Sequence, residues 1–343
     1  MEHNAQHLDT AAVESYLKDC LPGFEGPLKA EKFAFGQSNP TFRLTTPEKT
    51  YVLRRKPPGV LLKSAHAIDR EFRVQKALTG TDVPVADMLL LCEDDNIIGT
   101  MFYVMEHVHG RHFDDPSLPG HTNEDRAAIF DEMNRVLAAL HSVDLDAVGL
   151  SDFGAPGAYV ARQIDRWTKQ YRASETETIA DMDALISWLN DNLHLDDGQR
   201  TLVHGDYRID NMIFESDRPR VAAVLDWELS TLGHPIADLA YQIMQWRMPV
   251  GAEGRGLAGL DRTALGIPTE EEYIARYCER RNLSGIPNFN FFVAFCFFRM
   301  GAILQGVKKR ALDGNASNPE RGLKMGEFVP FYAAGGLKAV QDG

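Results

Sequence analysis

The 343-residue chain has few cysteines, a deficit of positive charge and no long apolar run, and each shortage narrows what it can be. Its four cysteines, Cys20, Cys92, Cys278 and Cys296, are scattered without a C-x-x-C. That excludes a disulfide framework and reads as free thiols in a reducing compartment. Lys+Arg number 36 against 49 Asp+Glu, a formal charge of −13. The balance argues against nucleic acid or an anionic membrane as partner, since both select basic patches, and it leaves room for a small anionic ligand. The most apolar run, Phe291 to Phe298, is closed by Arg299 and falls well short of the ~20 residues a membrane span needs. The opening MEHNAQHLDT has neither an apolar core nor basic flanks, so no signal peptide is read there. No G-x-x-x-x-G-K-[ST] occurs, which removes the P-loop route to a nucleotide. The expectation is a soluble, cytoplasmic protein with neither nucleic-acid nor membrane partners.

What is present is globular in composition, 44% hydrophobic and 25% charged. Residues 10–20 have helical spacing. From 31 to 54 short β-like pieces alternate with turns (KFAF, TFRL, TPEK, TYVLRR), and 66–79 return to a helical period. Further strands follow around a turn near Asp94–Asn96. After Gly110 long helices dominate, near 123–141, 157–172, 178–193, 270–282 and 290–310. One hairpin over 211–226 breaks them, with NMIFE and VAAVLD flanking SDRPR. This predicts an α+β, two-lobed fold. A small β-rich N-lobe with one main helix covers 1–105, a hinge 106–110, and a larger helical C-lobe 111–343.

The most informative stretch is His204-Gly205-Asp206-Tyr207-Arg208-Ile209-Asp210-Asn211, followed by Leu225-Asp226-Trp227-Glu228. It spells H-x-D-x-x-x-x-N, then a hairpin ending in an aspartate. Phosphoryl transfer from ATP needs these groups. One carboxylate takes the acceptor hydroxyl's proton, while an amide oxygen and a second carboxylate hold magnesium against the phosphates. A hard cation accounts for Asp and Asn in place of Cys or clustered His.

HGDYRIDNMIF…VAAVLDWELSTLGHPIADLAY resembles the aminoglycoside phosphotransferase/choline kinase family, relatives of the protein kinases. It is similar in particular to the kinase-like domain joined to acyl-CoA dehydrogenases in some fusion proteins, and to stand-alone bacterial homologues. The resemblance covers roughly 30–310. It implies a protein-kinase-like fold with an ATP-binding cleft between the lobes, Asp206 as catalytic base and Asn211 and Asp226 as Mg2+ ligands. It gives Asp238 a structural role.

In the small lobe, TYVLRR places Tyr51 and Leu53 on one face and Val52 and Arg54 on the other. Glu71 falls inside the apolar stripe of Ile68, Val74 and Leu78, where a carboxylate costs several kcal/mol unless paired. Arg54 is the expected partner, standing where the family has lysine, and Lys56 is the fallback. A guanidinium can fork onto both Glu71 and the α/β-phosphates. Phe35-Gly36-Gln37-Ser38-Asn39 occupies the position of the family's phosphate-covering loop, with Ser38 and Asn39 as phosphate donors. Met105-Glu106-His107-Val108 falls at the hinge, with Glu106 and Val108 as backbone contacts to adenine and Met105 lining the back of the pocket.

Two patterns point elsewhere. Gly254-Arg255-Gly256-Leu257-Ala258-Gly259 spells G-x-G-x-x-G but lacks the strand before and helix after that a dinucleotide site requires, and reads as a loop. A metal-dependent phosphoesterase would draw on His204, Asp206, Asp210, Asp226 and His234, but its G-D-x-x-D spacing fails at Ile209, and both histidines read as structural. The remaining alternative is a catalytically silent nucleotide-binding module, favoured by Arg54. For the acceptor, the resemblance implies a small-molecule hydroxyl of the hydroxyacyl-CoA kind, with a separate acyl-CoA dehydrogenase as partner. FNFFVAFCFF reads as a buried core helix, and Arg299, Lys308, Lys309 and Arg310 as its solvated face.

Overall fold

The structure, a computed structural model, describes residues 8–33, 39–57, 67–251, 255–316 and 318–342. Its residues sort into two compact units. The first comprises 1–112, 148–150 and 211–230; the second comprises 113–147, 151–210 and 231–343.

The first unit is built on a five-stranded antiparallel sheet. α1 (Thr10–Cys20) starts at Asp9, whose side chain accepts the Ala12 amide at 3.0 Å, and buries Val13 and Leu17. The strands are β1 (Lys29–Lys32), β2 (Thr41–Thr45), β3 (Thr50–Arg55), β4 (Met88–Cys92) and β5 (Phe102–Glu106), in the order β1-β2-β3-β5-β4. α2 (Ile68–Leu78) lies between β3 and β4 in sequence. The period-2 alternation of TYVLRR holds. Tyr51 and Leu53 join Phe42, Leu44, Phe102, Val104 and α1 in one apolar cluster. On the other face Ile68, Met88 and Tyr103 pack with Phe72 and Met105.

The hairpin of β7 (Met212–Phe214) and β8 (Val221–Val224) belongs to this unit, although the sequence reading placed it within 111–343. Backbone hydrogen bonds explain the placement. Arg111 and Phe214 exchange a pair at 2.7 and 2.9 Å, and the Val224 amide donates to Pro84 at 2.9 Å.

The second unit contains α3 (Asn123–His141), α4 (Tyr159–Ser174), α5 (Ala180–Asp191), β6 (Thr201–Val203), β9 (Thr231–Gly233), α6 (Pro235–Trp246), α7 (Glu270–Arg280), α8 (Phe289–Leu312), α9 (Pro319–Gly326) and α10 (Val329–Gln341). β6 and β9 form a two-stranded antiparallel sheet that brackets residues 204–230 in sequence. All twelve residues of α6 are buried. α8 is the one helix among the described residues long and apolar enough to cross a membrane, and 72% of its most apolar window is buried inside the protein. Arg299, expected on a solvated face, is instead buried within α8. Lys308 and Lys309 do pair at the surface, with Glu177 and Asp313.

Candidate active site

In the second unit the loop after β6 is held from α6. Asp238, one turn into α6, accepts the His204 amide at 2.6 Å and the Gly205 amide at 2.9 Å, and His141 Nε2 lies 3.4 Å away. Burial alone would raise this carboxyl. The hydrogen bonds from His141 and the loop amides outweigh it and keep Asp238 below its usual range, so it stays charged. Gly205 has φ +85°, a left-handed conformation that glycine adopts without cost. That turn delivers Asp206, whose amide donates to His204 Nδ1 at 3.2 Å. His204 is thus structural, as its sequence context indicated.

The Asp206 carboxylate is engaged at Oδ1. The Tyr241 hydroxyl donates to it at 2.7 Å, and Arg208 Nε lies 3.1 Å away. Arg208 also pairs with Asp210 at 3.3 Å, and Asp210 takes a further contact from Arg255. From α8, Arg299 Nη2 donates to the Gly205 carbonyl at 2.9 Å. A small cavity of about 30 Å³ opens beside this loop, lined by Tyr207, Arg208, Asp210, Gln242, Trp246 and Arg255. Trp246 also walls a groove of about 640 Å³ with Leu257, Leu260, Phe297, Phe331 and Lys338.

In the first unit Asn211 and Asp226 stand at one end of the β7–β8 hairpin. The Leu225 amide donates to the Asn211 carbonyl at 2.8 Å, just beyond the Met212–Val224 pair. Asp226 has φ +62° and ψ +57°, a left-handed conformation that costs a non-glycine residue about 1–2 kcal/mol. The turn after it is fixed by the buried Trp227, whose indole N–H donates to the Val224 carbonyl at 2.9 Å. Asn211 and Asp226 offer only hard oxygen donors of the kind magnesium selects, so the donor set fits that ion.

Arg54 gathers three carboxylates. Its Nε lies 3.0 Å from Glu71 Oε2, its Nη2 3.0 Å from Asp226 Oδ1, and the Glu228 carboxylate is at 3.6 Å. Glu71, 2% exposed, also accepts from Asn39 Nδ2 at 2.9 Å and from the Tyr103 hydroxyl at 3.2 Å. Burial pushes the Glu71 carboxyl up to about 7, against the opposing pull of Arg54 and with the repulsion of Glu228 and Asp226 added. Arg54, and not Lys56, is the partner of Glu71: Lys56 Nζ reaches toward Asp69, at 3.9 Å.

Other expectations for the small lobe change. The Asn39 side chain is buried and donates to Glu71, so it supports the ion pair where a phosphate donor was expected. Ser38 lies outside the described residues. The Glu106 amide, expected as a backbone contact to adenine, donates to the Asp87 carbonyl at 2.9 Å. Met105 packs on the Tyr103 side of the sheet, and Val108 follows half-buried.

His234 lies within reach of Asp196 and Asp197 in an arrangement that could suit a metal ion. Its Nδ1 accepts the Ile236 amide at 3.2 Å, capping α6. The ring proton is therefore on Nε2, which faces Asp197 at 2.8 Å. A metal ligand at Nε2 would require removing that proton as well, so the geometry is a cap and not a ligand set. Residues 255–259 of the G-x-G-x-x-G run form an irregular loop against the end of α6, the Leu257 amide donating to the Trp246 carbonyl at 3.0 Å, while Gly254 lies outside the described residues. Sequence reasoning did not reach Tyr241, Arg208, Glu228 or the burial of Arg299. Arg208 had the one available signal, its position two residues after Asp206.

The model of the phosphotransferase enzyme family matches residues 29–273. Mouse acyl-CoA dehydrogenase family member 10 is 52% identical over 310 residues, covering 90% of this chain, which spans 29% of that protein's length. A Ralstonia eutropha crystal structure, provisionally called an aminoglycoside phosphotransferase, is 50% identical with a TM-score of 0.90 over 98% of this chain and 99% of that one. A thermostable aminoglycoside phosphotransferase variant solved with AMP-PNP and hygromycin B is 16% identical with a TM-score of 0.63, over 96% and 98% of the two chains, and shares the fold. The β-sheet unit and the helical unit are those of this protein-kinase-like fold.

Proposed function

The chain belongs to the phosphotransferase enzyme family, and from that premise we propose that it transfers the γ-phosphoryl group of ATP to a hydroxyl of a small molecule, with a hydroxyacyl-CoA as acceptor class. The observation that carries this reading is that one chain holds a buttressed carboxylate, Asp206, and two oxygen-bearing side chains, Asn211 and Asp226, at the end of a single hairpin. As the acceptor oxygen bonds to the γ-phosphorus, its proton passes to Asp206, the bond to the β–γ bridging oxygen breaks, and ADP leaves. Asn211 and Asp226 would hold magnesium, which supplies charge neutralisation at the phosphate oxygens when bound. Arg54 is the cation for the α/β-phosphates, and Glu106, Val108 and Met105 are the proposed adenine contacts.

The groove walled by Trp246, Leu257, Phe297 and Phe331 supports an acceptor with an apolar portion. The name of the mouse relative supports an acyl-CoA dehydrogenase as partner, acting on the phosphorylated product. A cytoplasmic location is part of the proposal, in keeping with four free thiols.

The test is ADP release from Mg-ATP with a medium-chain 4-hydroxyacyl-CoA, its free hydroxy acid and hygromycin B as acceptors. Turnover confined to the thioester supports the proposal, whereas turnover confined to hygromycin B rejects the acceptor class. Binding of Mg-ATP without turnover across a broad hydroxyl panel selects a second reading, a silent nucleotide-binding module. Arg54 favours that reading, since the family's lysine is replaced by a residue paired with Asp226.

A further inference from the structure

Three residues on one face of α6 act on the loop that carries Asp206. Asp238 takes the His204 and Gly205 amides, Tyr241 follows three positions later, and Gln245 four after that. Gln245 Nε2 donates to the Tyr241 hydroxyl oxygen at 3.0 Å, and the Tyr241 hydroxyl lies 2.7 Å from Asp206 Oδ1. Because the amide fills an acceptor position of the phenol oxygen, the phenol's one proton is turned to Asp206. The order of donation is therefore fixed: Gln245 to Tyr241 to Asp206. The guanidinium of Arg299 lies 5.9 Å from the centre of the Tyr241 ring while its Nη2 donates to Gly205, so ring and loop are held by the same side chain.

We propose that Tyr241 is a positioning residue for Asp206, setting the plane of its carboxylate through a hydrogen bond whose direction Gln245 enforces. The inference rests on the reading of Asp206 as the base. A carboxylate gripped at one oxygen by a buried phenol, with Arg208 Nε 3.1 Å from the same oxygen, is restrained about its side-chain torsion, and proton transfer depends steeply on that alignment. Burial pushes the Tyr241 phenol well above its ordinary range, so it keeps its proton and serves only as a donor. Hydrogen bonds to a charged group are among the stronger ones, and losing one at the reacting centre lowers turnover by roughly 10- to 100-fold.

The test is a double-mutant cycle on the full chain. Turnover is followed as ADP release from Mg-ATP, with a medium-chain 4-hydroxyacyl-CoA as acceptor and in parallel with water alone. Tyr241→Phe keeps the ring and removes the hydroxyl. It is expected to lower kcat about 10- to 100-fold while KM for ATP stays within about twofold. In an Asp206→Asn background the same change is expected to cost nothing further. Gln245→Met, which frees the phenol to turn, is expected to give a smaller kcat loss of the same kind, and it serves alone should Tyr241→Phe not fold. Wild-type kcat in Tyr241→Phe, or an equal loss in the Asp206→Asn background, overturns the proposal. Full turnover in Asp206→Asn itself overturns the reading of the base, whatever the tyrosine does.

Discussion

Nη2 of Arg54 lies 3.0 Å from Oδ1 of Asp226, 172 positions away in sequence. The same guanidinium meets Glu71 through Nε, so one side chain on β3 ties α2 to the carboxylate that follows β8. A lysine concentrates its donors on one nitrogen and cannot present two separate nitrogens, as Arg54 does with Nε and Nη2, to the two carboxylates. Arg54→Lys is expected to weaken Mg-ATP binding roughly tenfold, about 1–2 kcal/mol, in an isothermal titration. Arg54→Met leaves Glu71 buried without a counter-charge where it is ionised, and is expected to cost about 3–5 kcal/mol in urea unfolding at pH 8 and less at pH 6, where the carboxyl takes up a proton. Unchanged nucleotide affinity in Arg54→Lys refutes the bridging role.

Glu71 makes the stability of the protein pH-dependent in a direction opposite to most carboxylates. Its folded pKa is raised to about 7 from an ordinary 4.5, with burial the leading cause. Between those values the folded state holds the proton more tightly than the unfolded one. Stability from this group is therefore full below about 4.5 and is lost as pH rises through about 7. Glu71→Gln removes the titration. Its unfolding free energy, measured against wild type at pH 5, 6, 7 and 8, is expected to improve relative to wild type as pH rises. A flat difference shows that Glu71 keeps an ordinary acidity, and one of opposite slope shows that Arg54 lowers it; either overturns the prediction.

Asp206 and Asp226 separate by the quantity each controls. Asp206→Asn removes the base but leaves Asn211 and Asp226 in place, so Mg-ATP affinity is expected to persist while turnover falls by about two to four orders of magnitude. Asp226→Asn is expected to weaken Mg-ATP binding itself. Its left-handed backbone suits asparagine as well as aspartate, so the substitution tests charge without straining the turn. Equal activity in either variant contradicts the roles assigned.

Much of this site is written locally. The H-x-D-x-x-x-x-N run and the hairpin to Asp226 are continuous in sequence, and Glu71 announces itself by lying inside an apolar helical stripe. The supports are not legible in the same way. Tyr241 lies on α6, where every residue is buried, so no polar face marks the helix and its period cannot be read; Asp238, on the same helix, is reached only through the family resemblance. Asn39 resembles a loop residue aimed at phosphate because its real partner, Glu71, is 32 positions away. Arg299 looks like the end of an apolar run. Its role depends on Gly205, 94 positions earlier, whose carbonyl it satisfies inside the protein.

The groove beside Trp246 gives the acceptor proposal its own test. Ala334 lines it from α10 at an exposed position, so a larger side chain there can fill the groove without displacing core residues. Ala334→Trp adds an indole to a space of about 640 Å³ already bounded by Trp246, Leu257 and Phe331. An apolar acceptor loses the surface it would bury, at ~25 cal/mol per Å², so losing about 60 Å² costs roughly 1.5 kcal/mol, or about tenfold in KM. KM for a medium-chain 4-hydroxyacyl-CoA is therefore expected to rise about tenfold or more, while KM for ATP and the melting temperature stay near wild type. Parallel increases in both KM values mean the substitution disturbs the fold. An unchanged acceptor KM means the acyl portion lies elsewhere.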